Sequence, residues 1–222
     1  MTKTSAATIL KTLQSTLTMP TLAKINHDPF KTLIITIISQ NTADTNTQRA
    51  YENLSKNFEI TPQTLANAQI GMIETCIHVG GLSKNKAKTI QTVSKIIIEK
   101  FQNSLNFIIS LPIEEARKKL LEMPGVGPKT ADVVLLFSAN KSTIPVDTHV
   151  NRVSKRLGLV PPNGCYEEVR LSLMSLFDPK DYLAVHLLLI AHGRKTCKAR
   201  KPLCSECHIS ISCPSNGLGD KE

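Results

Sequence analysis

The sequence predicts an all-α fold, and three features of its pattern support that class. Apolar residues recur at helical spacing from the start of the chain. The first such stripe comprises Ala6, Ile9, Leu10, Leu13 and Leu17. Dipeptides that start helices, such as Asp28-Pro29 and Thr61-Pro62, stand directly before further stripes. No pair of alternating segments joined by a tight turn predicts a β-hairpin, so we expect about ten helices.

The predicted elements have recognisable starts or stops. Asp28-Pro29 supplies an N-cap and a proline at the first helical position. The Ile-rich segment behind it is predicted to be a buried helix, because its length and its helical neighbours argue against a strand. Gly80-Gly81 stops a helix, whereas Pro112 and Pro128 start one. In order along the chain, we predict a helix over 30–40, a helix that ends at 57, a helix that begins at 61, and helices over 70–79, 86–101, 112–124 and 128–139. A helix that ends at 157 and helices over 166–177 and 181–191 follow.

The composition predicts a globular protein that binds a polyanion. The 222 residues include 27 Lys and Arg against 18 Asp and Glu, which gives a formal net charge of +9. This excess most simply indicates nucleic acid as the partner, although solubility in a basic proteome would produce the same balance. No apolar run approaches the roughly 18–20 residues that span a bilayer. We therefore expect a cytoplasmic protein with no membrane partner.

The stretch Pro124-Gly125-Val126-Gly127 joins two predicted helices and is a candidate phosphate-binding turn. Its glycines allow a ligand to approach the backbone closely. The N–H groups at the start of the following helix carry the positive end of the helix dipole, which suits an anion. A Gly-x-Gly turn alone is common between helices. The longer string L-x-x-x-P-G-V-G-P-K-T-A is typical of a helix–hairpin–helix, which clamps DNA backbone without reading its sequence.

Lys129 and Asp147 are the candidate catalytic residues. Lys129 lies in the first turn of the helix after the glycines, where the dipole lowers the pKa of an amine and favours its nucleophilic form. The alternative role for Lys129 is a solvated contact to DNA phosphate. Asp147 follows eighteen residues later. It suits a carboxylate that faces a developing positive charge, and it equally suits the N-cap of the next helix.

Four of the six cysteines lie within seventeen residues, in the pattern Cys-x6-Cys-x2-Cys-x5-Cys. Such clustering favours a metal site over a disulfide scaffold. Because only one close Cys-x2-Cys pair is present, we expect a [4Fe–4S] cluster and keep zinc as the alternative. The first interval is basic and is a candidate phosphate-contacting loop. The candidate ligands are Cys197, Cys204, Cys207 and Cys213, and the basic residues between the first two are Lys198, Arg200 and Lys201.

Together these motifs resemble the endonuclease III family. The resemblance rests on M-P-G-V-G-P-K-T-A-D, on V-D-T-H eighteen residues after its lysine, on H-G-R-x-x-C and on the cysteine pattern, and it covers about 29–214. It implies a DNA glycosylase with an attached AP (apurinic/apyrimidinic) lyase activity that removes oxidised pyrimidines, such as thymine glycol, from double-stranded DNA. The alternatives are a uracil or thymine mismatch glycosylase of the same superfamily and a non-catalytic, redox-sensing DNA-binding module.

The resemblance also implies two domains and a mechanism. Residues 22–141 would form a six-helix barrel with the helix–hairpin–helix, and residues 1–21 with 142–222 would form the iron–sulfur cluster domain. Lys129 would attack C1′ of the damaged nucleotide, expel the base and form a Schiff base, after which β-elimination nicks the strand 3′ to the abasic site. Asp147 would assist the lysine or stabilise the oxocarbenium-like transition state. The protein would act as a monomer at a prokaryotic nucleoid.

Flipping a nucleotide out of the duplex leaves a space that the protein must fill. By resemblance the filling positions are Asn41, in S-Q-N-T-A-D, and Leu82, in G-G-L-S-K-N. Glutamine is expected in place of Asn41, so the adjacent Gln40 is an alternative. The structural alternatives are helix capping by Asn41 or by Asp44, a candidate cleft residue, and loop anchoring by Leu82. The expected DNA contacts are Asn41, Leu82, Gly125, Val126, Gly127, Thr130, Lys198, Arg200 and Lys201.

Overall fold

In a computed structural model that describes residues 2–19 and 28–217, all regular secondary structure in those ranges is helical. The predicted all-α class is therefore confirmed. Short 3-10 turns at His78–Gly80, Pro179–Asp181, Cys204–Glu206 and Ser210–Ser212 supplement the α-helices. The α-helices are α1 (Lys3–Thr16), α2 (Pro29–Ser39), α3 (Asp44–Asn57), α4 (Pro62–Asn67), α5 (Ile70–Ile77), α6 (Ser83–Lys100), α7 (Asn106–Ser110), α8 (Ile113–Leu121), α9 (Pro128–Ala139), α10 (Thr148–Arg156), α11 (Tyr166–Leu176) and α12 (Tyr182–Lys195).

Most helix ends lie within two residues of the predicted ones, but α8 ends three residues earlier and α12 four residues later than predicted, and α6 and α7 also differ. Asp28 caps α2, because its Oδ1 accepts two N–H groups of the first turn at 2.9 and 3.2 Å. Helix α6 begins three residues earlier than predicted, since Leu82 takes the N-cap position and its carbonyl accepts the N–H of Lys86 at 3.0 Å. The short helix α7 was not predicted. Its N-cap, Leu105, makes no side-chain cap, so the sequence carries no start pattern there.

The chain divides into two compact units. One comprises Met1–Lys24 with Ser142–Glu222, and the other comprises Ile25–Lys141. The first unit contains α1 and α10–α12, and the second contains α2–α9. The domain boundary predicted at 21/22 lies outside the described residues, so the predicted domain limits stay a prediction. The described part of the second unit has eight α-helices, of which α4 and α7 have six residues or fewer, and the six-helix barrel stays a prediction.

Helix α2 forms the centre of the core in the second unit. Its Leu33, Ile34 and Ile37 are fully buried, which confirms the prediction of a buried helix for this Ile-rich segment. The helix packs against α9, α3 and α6. Burying such side chains stabilises the fold by roughly 1.5–3 kcal/mol each. The packing fixes α9, which carries Lys129, against the most buried helix of the unit.

In the first unit, α12 packs against α10 and α1. Gly193 on α12 permits this approach, because a Cβ there would lie 3.1 Å from side-chain atoms of His149 and Arg152. Apolar residues of all three helices are buried, among them Ile9, Val150 and Leu188. In the part of the chain that is described, no helix combines the length and apolar character required to cross a bilayer.

Candidate functional site

The turn between α8 and α9 has a conformation that requires glycine at Gly125. Its φ is +76°, in the left-handed region where residues with a Cβ are strained. A Cβ at this position would also lie 2.5 Å from Cγ2 of Thr89 on α6. The N–H of Val126 donates to the carbonyl of Met123 at 3.1 Å and closes the turn. The hairpin is therefore a fixed structure held against α6.

The residues of the turn that are predicted to contact DNA differ in exposure. Gly127 is exposed. A Cβ added to Gly127 would have no colliding atom of the described residues within 4 Å, so a ligand can approach the backbone there. Val126 and Thr130 have buried side chains, so only their backbone can face a ligand, and the N–H of Val126 already donates within the turn. Pro128 opens α9, and the N–H groups of the first helical turn point out of its N-terminus. This arrangement suits an anion such as a phosphate.

Lys129 occupies the second position of α9 and is half-buried. A buried ion pair fixes this helix to α8. Nε of Arg117 donates to Oδ1 of Asp132 at 3.0 Å, and Nη2 donates to Oδ2 at 3.4 Å. Asp132 lies one turn after Lys129 on the same helix. Because a bidentate guanidinium–carboxylate pair has a defined geometry, it sets the rotation of α9 about its axis and with it the position of Lys129.

Gln40, at the start of the loop between α2 and α3, supports the hairpin. Its Nε2 donates to the carbonyl of Gly125 at 3.0 Å and lies 3.4 Å from Oγ1 of Thr130. These contacts tie the loop to both ends of the glycine turn. The amide of Gln40 is thus committed within the protein, unlike that of its neighbour Asn41.

Asn41 is exposed and adopts a left-handed conformation with a φ of +53°. It caps neither adjacent helix, since Gln40 is the C-cap of α2 and Ala43 is the N-cap of α3. Asp44 follows the cap as the first residue of α3. The capping alternative considered for Asn41 is therefore wrong, whereas Asp44 contributes a carboxylate to the first turn of α3. Asn41 presents its side chain on the surface of a tightly bound loop.

Leu82 lies in the turn that precedes α6. Its φ is +50° and its side chain is 59% exposed, so the alternative role of loop anchor is wrong. Oγ1 of Thr42 donates to the carbonyl of Gly80, which joins this turn to the loop that carries Asn41. Two exposed side chains on left-handed backbone therefore stand on neighbouring loops.

Asp147 is the N-cap of α10. Its Oδ1 accepts the N–H of Val150 at 2.7 Å, and the residue is half-buried. The extended segment before it is fixed from two sides. The N–H of Val146 donates to Oη of Tyr166 at 3.3 Å, and Nδ1 of His186 contacts the carbonyl of Pro145 at 2.9 Å. The cap uses one carboxylate oxygen of Asp147 on a rigid segment.

The four cysteines predicted as ligands line one cavity in the first unit. Burial raises the pKa of the Cys213 thiol, and Coulomb interactions with the other three cysteines raise it further. In the described ranges, no three side chains of His, Cys, Asp or Glu are grouped closely enough to hold a single metal ion. The structure therefore brings the four predicted ligands together around one cavity.

His192 closes one side of this cavity. Its Nε2 lies 3.8 Å from Sγ of Cys207. Burial, with a smaller contribution from His208, lowers the pKa of His192 to about 4, so the imidazole is neutral at physiological pH.

Two arginines of α10 hold the basic loop 198–201. Arg156 donates from Nη1 to the carbonyl of Lys198 at 2.6 Å and from Nη2 to that of Ala199 at 3.0 Å. Arg152 donates from Nε and Nη2 to the carbonyl of Cys197 at 3.3 and 3.1 Å. The loop backbone is thereby anchored. Its three predicted phosphate-contacting side chains, Lys198, Arg200 and Lys201, are exposed.

Residues 34–179 match the HhH-GPD superfamily of base excision DNA repair proteins. Over 185 residues the chain is 40% identical to endonuclease III of Sulfolobus acidocaldarius, an alignment that covers 83% of this chain and 81% of that protein. The chain belongs to the endonuclease III family.

The similarity to endonuclease III extends to solved structures. A non-covalent endonuclease III–DNA complex has a TM-score of 0.86 at 28% identity and covers 100% of both chains. A trapped endonuclease III–DNA covalent intermediate has a TM-score of 0.83 at 29% identity and covers 97% of both. The predicted family is therefore confirmed. The predicted class of activity, DNA glycosylase with AP lyase activity, is confirmed with it.

Several residues that support the hairpin, α9 and the basic loop were not predicted from the sequence. They are Gln40, the Arg117–Asp132 pair and the arginines of α10. Asp132 offered one usable pattern, since a charged residue within the apolar run A-D-V-V-L-L-F indicates a buried partner. Nothing in the sequence pattern indicates that Gln40, instead of Asn41, supports the hairpin. Their roles depend on contacts between distant parts of the chain.

Proposed function

We propose that the protein excises oxidised pyrimidines from double-stranded DNA and nicks the resulting abasic strand, with Lys129 as the nucleophile. The amine of Lys129 attacks C1′ of the damaged nucleotide and displaces the base. The sugar ring opens to a Schiff base with the lysine, and loss of the C2′ proton then expels the 3′ phosphate. We also propose that the protein acts on chromosomal DNA at the nucleoid of a prokaryotic cell.

The observation that carries this proposal is the placement of Lys129. It lies two residues after Gly127, at the positive end of α9, in a helix that the Arg117–Asp132 pair holds in one rotation. A lysine placed there for stability alone would be in the wrong position, because a helix N-terminus disfavours a cation. The same potential favours the neutral amine that nucleophilic catalysis needs.

Asp147 is proposed to act on the substrate as the carboxylate that stabilises positive charge on the sugar. The cap to Val150 occupies Oδ1, so capping and catalysis are compatible within one side chain. Pinning of the preceding segment by Tyr166 and His186 limits the movement of the carboxylate. Preorganised charge of this kind is effective because it requires no reorganisation during the reaction.

The proposed DNA contacts fall into two groups. The glycine turn, through Gly125, Val126, Gly127 and Thr130, and the basic loop, through Lys198, Arg200 and Lys201, bind backbone phosphate. Asn41 and Leu82 fill the space that the flipped nucleotide leaves. Their exposure and their rigid loops support this division, because a filling group must protrude and must not fold back when it meets the base stack.

The four cysteines are proposed to hold a [4Fe–4S] cluster. Four thiols around one cavity, with only one close Cys-x2-Cys pair in the sequence, support this group over zinc. The cluster would supply a rigid support for the basic loop, whose backbone Arg152 and Arg156 already hold. Metal analysis of the purified protein tests the proposal. Four irons per chain and an absorption band in the visible blue are expected, and stoichiometric zinc would contradict it.

Borohydride trapping tests the nucleophile. Duplex DNA that contains thymine glycol or an abasic site should become covalently attached to the wild-type protein, because borohydride reduces the Schiff base. Lys129→Gln should abolish the adduct and leave duplex binding within about twofold, since the hairpin that binds phosphate is unchanged. Lys118→Gln, at an exposed lysine of α8 in the same hairpin, is the matched control and should trap normally. An adduct with Lys129→Gln would assign the chemistry to another residue.

The second candidate function is a uracil or thymine mismatch glycosylase of the same superfamily. The presence of Lys129 disfavours this second function, since relatives of that kind lack the catalytic lysine. A panel of duplexes with oxidised, deaminated and mismatched bases, assayed for base release and for strand nicking, separates the two. Release from oxidised pyrimidines with nicking supports the first function, whereas release from mismatches without nicking supports the second.

A further inference from the structure

Lys86 is a buried lysine that connects the two loops described above. Its Nζ donates to the carbonyl of Ile38 at 2.7 Å, to Oγ1 of Thr42 at 2.6 Å and to the carbonyl of Gly80 at 2.9 Å. Three hydrogen bonds use all three N–H groups of an ammonium. Thr42 in turn donates to Gly80 and contacts the carbonyl of Gln40 at 3.1 Å. One cation therefore holds the end of α2, the following loop and the turn before α6.

This position is electrostatically unfavourable for a lysine. Lys86 is 4% exposed, and burial lowers its pKa. It lies near the N-terminus of α6, where the helix dipole disfavours a cation. Its three partners are uncharged, and none of the ion pairs recorded for the described residues includes it. Buried charge without a counterion is costly. The segments that the ammonium joins explain why a lysine is buried here.

The ammonium joins the two positions that are proposed to fill the flipped-base space. Asn41 precedes Thr42 directly, and Leu82 lies two residues after Gly80. Both residues have left-handed backbone, with φ of +53° and +50°. Such conformations in residues with a Cβ persist only when the surroundings hold them. Gln40 holds the same loop to the glycine turn on its other side.

We propose that Lys86 is a positioning residue, whose ammonium fixes the spacing between Asn41 and Leu82 so that both side chains enter the base stack as one rigid unit. The inference rests on the proposed roles of those two residues in nucleotide flipping. Lys86 itself touches neither the substrate nor the reacting atoms. Loss of the Lys86 ammonium should therefore slow excision from duplex DNA, where a space must be filled. It should not slow the reaction on DNA whose target nucleotide is already unstacked.

Lys86→Met tests the inference, because it keeps an unbranched side chain of nearly the same length and removes the three donors. We expect single-turnover excision from a thymine glycol duplex to slow by about 10- to 100-fold, the scale of loss from a misplacement of about 1 Å. Nucleotide flipping should be impaired to the same extent, as measured by the fluorescence of 2-aminopurine placed next to the lesion. Borohydride trapping on single-stranded abasic DNA should stay within about twofold of wild type, since no stack has to be opened.

Lys88→Met is the matched control, since Lys88 lies two residues further along α6 and is exposed. It should leave duplex excision unchanged. Thr42→Val provides a second approach if Lys86→Met folds poorly, because it removes only the hydroxyl that bridges Lys86 and Gly80. It should also slow duplex excision more than single-strand trapping. Equal losses on the two substrates for both variants would reduce Lys86 to a purely structural residue and overturn the inference.

Leu82→Ala separates a failure of this inference from a failure of the proposed function. If Lys86 acts through Leu82, adding Lys86→Met to Leu82→Ala should slow duplex excision by much less than it slows the wild type. Independent, multiplicative losses would overturn the positioning role. If Leu82→Ala together with Asn41→Ala leaves flipping and excision unchanged, the proposed space-filling roles are refuted, whatever Lys86 does.

Discussion

At the scale of single residues, the cap that Asp147 makes determines how its proposed catalytic role can be tested. The carboxylate caps α10 through Oδ1, which accepts the N–H of Val150 at 2.7 Å. Asparagine caps helices about as well as aspartate but carries no charge. Substitution can therefore remove the charge while it preserves the cap, which alanine cannot do.

Asp147→Asn should keep the thermal stability of the wild type and should lose base-excision activity by at least about tenfold, because only the charge is removed. Asp147→Ala should lose the same activity and also about 1 kcal/mol of unfolding free energy. Single-turnover excision and denaturant unfolding of both variants provide the measurements. Full activity in Asp147→Asn would limit Asp147 to capping.

At the scale of elements, the hairpin between α8 and α9 uses its two glycines for different purposes. Gly125 is required for folding, because its φ is +76° and Thr89 occupies the space of a Cβ. Gly127 has an ordinary φ of −89°, and the described structure leaves the space of its Cβ open. The first glycine shapes the turn, and the second exposes its backbone.

Gly125→Ala should lower the free energy of unfolding by at least about 1–2 kcal/mol, from backbone strain alone, with a further loss from the collision with Thr89. The double variant Gly125→Ala with Thr89→Ser should recover the steric part and not the backbone part. Gly127→Ala should keep its stability but bind duplex DNA more weakly, because its methyl group projects where a phosphate would approach. Denaturant unfolding and duplex-binding titrations distinguish these outcomes. Normal binding by Gly127→Ala would place the phosphate elsewhere.

At the scale of the whole molecule, the excess of positive charge bears on binding to duplex DNA. The net charge of +9 makes a non-specific attraction to DNA expected. A specific contact differs from this general attraction, because each phosphate contact releases counterions and adds to the salt dependence of the affinity.

Lys198→Ala and Lys201→Ala should each lower affinity for any duplex and reduce the slope of log K against log salt by about 0.9 per lost phosphate contact. Lys11→Ala, at an exposed lysine of α1, is the control and should leave the slope unchanged. Binding isotherms across a salt series measure the slopes. An unchanged slope in either loop variant would show that its side chain does not touch DNA.

The sequence by itself determined the helical class, the position of Lys129 in the first turn of a helix, the cap at Asp147 and the grouping of the cysteines. These features depend on residues a few positions apart, where caps, glycine turns and close spacing act locally. Only the tertiary structure shows the contacts of Gln40 with the glycine turn, the exposure of Leu82, the Arg117–Asp132 pair and the burial of Lys86. Gln40 meets partners 85 and 90 positions away, and Lys86 meets partners 44 and 48 positions away. No local pattern encodes such contacts, because they arise when helices distant in the chain pack together.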